Sequence, residues 1–85
     1  MKELRYVIQD TLGIHARPAG LLVKKLQEYK SDIKVGRPEQ MVDAKRIFGV
    51  MNLGMKCGEE MVLTFDGPDE DTAALEAEAF LQANL

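Results

Sequence analysis

The chain has 85 residues, 46% of them hydrophobic, which suits one small domain spanning residues 1–85 with a core of its own. Fourteen acidic against eleven basic residues leave a net charge of −3, which argues against nucleic acid as a partner, because phosphate backbones select a basic footprint. No apolar run approaches the roughly 18 residues of a membrane span, and a single cysteine and a single histidine are too few for a structural zinc site, so neither metal nor cofactor is expected.

The start, Met1-Lys2-Glu3-Leu4-Arg5, mixes charge with apolar residues and does not resemble a signal peptide. Together with the unpaired Cys57, it points to the cytoplasm. Leu4, Tyr6 and Ile8 alternate with Glu3, Arg5 and Gln9, which predicts a half-buried strand. Residues 10–13 form a loop. From residue 16 to about 29, Ala19, Leu22, Leu26 and Tyr29 recur at spacings of three and four, the stripe of an amphipathic helix. Pro18 falls in its first turn, where a missing N–H costs little.

Ile33 and Val35 mark a second strand, and Met41 with Val42 a third. Between them Arg37-Pro38-Glu39-Gln40 suits a turn with proline at its second position. Residues 47–53 read as a short helix with Val50 and Leu53 on its buried face, ended by Gly54 in a left-handed cap. Met61, Leu63 and Phe65 alternate with Glu60, Val62 and Thr64 in a fourth strand, and Gly67-Pro68 breaks the chain after it. Asp69 is placed to cap a last helix whose first turn holds Glu70 and Asp71 and whose core face is Ala74, Ala77, Leu81 and Leu85. The order β-α-β-β-α-β-α implies two layers: helices on one face of a sheet, and water on the other.

The chemistry concentrates at Gly13-Ile14-His15-Ala16-Arg17-Pro18. The only histidine stands at the start of the first predicted helix, with an arginine two residues on. Imidazole is a nitrogen nucleophile near neutral pH, and a helix start offers unpaired N–H groups and partial positive charge to an anion. Acidic residues gather at Glu59-Glu60 and between 66 and 71, whereas Arg17, Lys24, Lys25, Lys45 and Arg46 lie elsewhere, so a local basic surface is expected on an acidic protein.

This hexapeptide with Ala19, together with Lys45-Arg46-Ile47-Phe48-Gly49-Val50-Met51-Asn52-Leu53-Gly54, resembles the histidine-containing phosphocarrier (HPr) family of the bacterial phosphoenolpyruvate-dependent sugar phosphotransferase system. The resemblance covers essentially the whole chain. It implies an α+β open-faced β-sandwich: a four-stranded antiparallel sheet with three helices on one face. It also implies a carrier rather than an enzyme. His15 would accept a phosphoryl group on Nδ1 from phospho-Enzyme I and pass it to sugar-specific IIA components. Arg17 would supply a planar donor fork for the phosphate, and Ala16 and Pro18 would shape the anion site at the helix start. Ile47, Phe48 and Met51 would form the docking patch, extended by Gly20, Lys24 and Gln27. Core packing is the plainer reading of that apolar trio.

The carrier would work as a monomer that meets membrane permeases only peripherally. A regulatory paralogue that signals by binding partners, in nitrogen-branch or catabolite control, is the alternative. Four positions depart from the family pattern. Arg46 replaces a serine that many Gram-positive members have phosphorylated by an ATP-dependent kinase, which leaves no regulatory site there and only such hydroxyls as Ser31 or Thr11 for that chemistry. Leu12 replaces a serine or asparagine able to hydrogen-bond around the histidine. Pro38-Glu39 replaces an Asn-Gly turn, and Cys57 reads as an incidental exposed thiol.

Overall fold

The computed structural model describes residues 1–85. Its elements in chain order are β1 (Lys2–Val7), α1 (Ala16–Leu26), β2 (Asp32–Arg37), β3 (Gln40–Asp43), α2 (Ile47–Asn52), β4 (Glu60–Asp66) and α3 (Glu70–Asn84). The order is the one expected. The strands form one sheet in the order β1-β4-β2-β3, and every pairing is antiparallel.

Register follows from side-chain alternation, since a slip of one residue would turn every apolar side chain outward. Leu4 faces Leu63 and Tyr6 faces Met61 across β1 and β4, while Ile33 faces Phe65 and Val35 faces Leu63 across β2 and β4. Met61, Leu63, Phe65, Ile33 and Val35 join Leu22, Leu26, Val50, Ala77 and Leu81 of the helices in a core of 20 buried residues, against which Leu4 and Tyr6 pack half-buried. Each large apolar side chain so buried contributes about 1.5–3 kcal/mol, so the pattern outweighs local propensity. Val50 and Leu53 are buried, as expected of the inner face of α2. Gly54 has φ 61°, the left-handed conformation that glycine adopts without a Cβ penalty.

The opposite sheet face carries exposed Glu3, Arg5, Lys34, Asp43 and Glu60, with Arg5 paired to both Glu3 and Glu60. Val62 departs from the expectation of a wet face. It sits in register between Arg5 and Gly36 and is nearly inaccessible although it lies outside the core cluster.

Three local expectations need correction. The first helix ends at Leu26 rather than near Tyr29, because Glu28 and Tyr29 donate to carbonyls only three residues back and tighten the chain out of the α-helix. Tyr29 is nevertheless buried. On α3 it is Ala73, with Ala77 and Leu81, that is buried, and Ala74 is only half-buried. Asp69 stands at the start of α3, but its side chain does not cap that helix. Its carboxylate accepts instead from the N–H groups of Lys30 (2.8 Å) and Ser31 (2.9 Å) and from the Ser31 hydroxyl. These bonds hold it below the usual carboxylate range, the Ser31 hydroxyl contributing most. The acid thereby ties the link between α1 and β2 to the start of α3.

Candidate functional site

The loop before α1 is built by short-range polar contacts. One Asp10 carboxylate oxygen accepts the N–H of Leu12 at 2.9 Å, and the Asp10 carbonyl accepts the N–H of Gly13 at 2.9 Å. Gly13 has φ 67°, and a Cβ there would lie 2.4 Å from the Met55 carbonyl oxygen. Only glycine lets the two loops approach so closely. Ile14 is buried and donates its N–H to that same carbonyl at 2.9 Å. His15 is thus delivered to one place: the cap position of α1, in extended conformation (φ −124°, ψ 177°), its carbonyl accepting from Ala19 at 3.0 Å.

No side chain caps this helix, and no acidic residue stands in its first turn. Pro18 has no N–H, so the free donors of the first turn are those of Ala16 and Arg17, without intrahelical acceptors. Beside them lies a shallow cleft of about 260 Å³, lined by Asp10, His15, Arg17, Pro18, Leu21, Ala83 and Asn84. The imidazole is about one-third exposed, and its Nε2 lies 3.6 Å from the Asp10 carboxylate. Arg17 is exposed and takes part in none of the ion pairs of the fold.

His15 and the unpaired Arg17 therefore line one open cleft beside a helix start whose first amides lack intrahelical acceptors. The arrangement can hold a tetrahedral dianion on the imidazole, with charge stabilised by a helix start and a cation.

The second motif lies where the two shorter helices meet. Gly20 is the point of close approach: a Cβ there would lie 3.4 Å from Ile47 Cδ1. Ile47 and Met51 are half-buried against the core, whereas Phe48 is 76% exposed. Leu12, at 71%, and Leu21, at 45%, are also exposed. Lys24 is exposed as well. Gln27 is exposed but tethered, its amide donating to the Lys45 carbonyl at 3.0 Å, while Lys45 Nζ donates to the Tyr29 carbonyl at 2.7 Å.

The expected basic surface is only partly free. Lys25 pairs with Glu28 and Glu76, and Arg46 pairs with Asp43 at 3.5 Å. Arg46 stands at the start of α2 with its side chain largely in solvent. Of the two hydroxyls named for kinase chemistry, Ser31 is fully buried and bonded to Asp69, whereas Thr11 is exposed in the loop before His15. Cys57 is exposed.

Sequence reasoning did not single out Asp10, Leu21, Ala83 or Asn84. The last two enter the cleft because the end of α3 is pinned to the loop: Leu85 oxygen accepts the N–H groups of Gln9 (2.6 Å) and Asp10 (2.8 Å). Asp10 did leave a local signal, an aspartate two residues before a backbone donor in a glycine-containing loop.

The fold and the site define a class: a small open-faced β-sandwich with a histidine at the uncapped start of its first helix. Comparison with known proteins carries this to a family. A family model described as the PTS HPr component phosphorylation site matches residues 2–83. The phosphocarrier protein HPr of Lysinibacillus sphaericus is 44% identical over 73 residues, covering 86% of this chain and 83% of that protein. The HPr of Mycoplasma genitalium is 35% identical over 85 residues, covering 99% and 97%. A crystal structure of HPr-C-His from Thermoanaerobacter tengcongensis superposes with a TM-score of 0.92 at 34% identity, covering 99% of this chain and 94% of that one. The chain belongs to the HPr family of phosphotransferase-system phosphocarriers. No helix is long and apolar enough to cross a membrane.

Proposed function

We propose that residues 1–85 act as one cytoplasmic, monomeric carrier whose His15 accepts a phosphoryl group on Nδ1 from phospho-Enzyme I and passes it to sugar-specific IIA components. The observation that carries this reading is the bare helix start: His15 at the cap, amides at Ala16 and Arg17 without intrahelical acceptors, and His15 and Arg17 lining one cleft. Transfer between two proteins needs positioning and charge stabilisation more than a catalytic apparatus, and the partner supplies the other half. Docking falls to Phe48, with Ile47 and Met51 beneath it and Gly20, Lys24 and Gln27 along α1. An exposed aromatic rimmed by charge suits a transient interface. Gly20 and Gln27 serve this surface by fixing α2 against α1, as their contacts with Ile47 and Lys45 support.

The test is incubation with phosphoenolpyruvate and Enzyme I, followed by assay for an acid-labile, base-stable phosphate. His15→Ala should abolish the label while circular dichroism and melting stay as in the parent. A labelled alanine variant would overturn the assignment. Onward transfer to a sugar IIA component is the expected second step, and transfer confined to a regulatory IIA would instead favour a signalling role.

A further inference from the structure

The geometry points to Asp10 as a positioning residue for His15: its carboxylate holds the proton on Nε2, keeps the Nδ1 lone pair free, and balances the charge that forms on the ring during phosphoryl transfer. The inference deepens the proposed function and rests on His15 being the acceptor. One hydrogen bond holds the carboxylate and another its backbone, which leaves the second carboxylate oxygen near the imidazole. One oxygen accepts the Leu12 N–H at 2.9 Å, the Asp10 N–H is bound by Leu85 oxygen at 2.8 Å, and the other carboxylate oxygen faces His15 Nε2 at 3.6 Å. Leu12 contributes only its N–H to this loop, because its side chain is apolar and points into solvent. Asp10 is therefore the acid that addresses the imidazole.

The chemistry explains why the Nε2 side matters. A neutral imidazole carries one proton, and a carboxylate beside Nε2 favours the tautomer with the proton there. In the forward step the Nδ1 lone pair forms a bond to phosphorus. The bond from phosphorus to the donor protein's leaving atom breaks, and its electron pair departs with that atom. Nε2 keeps its proton, so the ring becomes a cation facing Asp10. In the onward step the pair of the N–P bond returns to Nδ1 as the next acceptor attacks, and the ring is neutral again. No proton need leave the site in either direction. The carboxylate orients and stabilises without itself being protonated, as carboxylates behind catalytic histidines do.

Asp10→Asn separates this role from loop building. The amide oxygen can still accept from Leu12, which leaves an N–H donor facing Nε2. That arrangement favours a lone pair on Nε2 and a proton on Nδ1, the wrong tautomer for attack. Ring 15N chemical shifts, read well above the ordinary imidazole range, report the tautomer directly in the unphosphorylated protein. The parent should show Nε2–H as the dominant form, and the variant a rise in Nδ1–H with unchanged melting. Phosphoryl acceptance from Enzyme I should fall about 10- to 100-fold, the usual loss when a histidine's orienting partner is changed.

An Nδ1–H tautomer in the parent would overturn the inference without recourse to any variant. So would a variant with the parent's tautomer population or its acceptance rate. A parent that takes no phosphate from Enzyme I would sink the carrier reading instead, and the ring spectra would still decide the pairing.

Discussion

Two helix starts in this fold are built in opposite ways. At α3 the first turn holds Glu70 and Asp71, Glu70 accepts the Gly67 N–H at 3.1 Å, and Asp69 clamps the link from α1 to β2. At α1 the first turn holds no acid, no side chain caps it, and a cation, Arg17, stands where the dipole disfavours one. Neither start has a side-chain cap, but the first is lined with acid and fastened to the link behind it, whereas the second carries no acid and borders an open cleft. The acid-free start of α1 suits the anion that the proposed carrier role requires. Rigidity for that end comes from elsewhere, chiefly from Gly13, Ile14 and the Met55 carbonyl.

Substitutions can break this contrast, and the largest loss of stability should come from the loop behind α1. Gly13→Ala adds a Cβ 2.4 Å from the Met55 oxygen at a positive φ, and should cost about 2–4 kcal/mol in urea unfolding while depressing phosphoryl acceptance. Unchanged stability would mean that the loops do not constrain one another. At the α3 start, Ser31→Ala removes a buried hydroxyl bonded to Asp69 and should cost about 1 kcal/mol, with transfer at the parent's rate. Slower transfer in that variant would show that the two helix starts are coupled.

Acid should sharpen the contrast further. The Asp69 carboxylate is held low by the Ser31 hydroxyl and the Lys30 N–H, and Glu59 by the Lys56 N–H and by Arg37. A carboxylate whose folded value is depressed stabilises the fold above its unfolded value and loses that contribution as pH falls toward the folded one. Urea midpoints should therefore be level near neutrality and drop below about pH 4, less steeply in Ser31→Ala. The smallest effect on stability belongs to Phe48→Asp. Being exposed, Phe48 should cost no more than about 0.5 kcal/mol when replaced, yet transfer should fall about tenfold or more. A large stability loss would return Phe48 to the core.

Much of this was legible along the chain, for a physical reason that differs by element. Strands β1 and β4 follow the two-residue alternation of Leu4-Tyr6 and Met61-Leu63-Phe65, and α1 follows the spacing of Ala19, Leu22 and Leu26, because one-sided burial imposes those periods. Along the chain Asp69 reads as a helix cap, yet a residue at a helix start can bond forward into its own helix or across space. Nothing local says that Ser31 and Lys30 will arrive with free donors. Alanine-rich α3 has a weak apolar stripe, which leaves its rotation, and so the choice between Ala73 and Ala74, to packing. Along the chain Asp10 reads as an ordinary loop residue, because the turn that brings it to His15 is set by Met55, 45 positions away.

By itself the sequence determined the order of elements, the apolar faces of the strands and of α1 and α2, and the placement of His15 and Arg17 at a helix start. These depend on periods and neighbours within a few residues, which covalent geometry dictates. Only the tertiary structure decided that β4 lies between β1 and β2, that Asp69 turns away from its helix, and that Asp10 stands against the Nε2 side of His15. Those outcomes depend on which distant donors and apolar faces meet when the core closes, and no local pattern encodes that meeting.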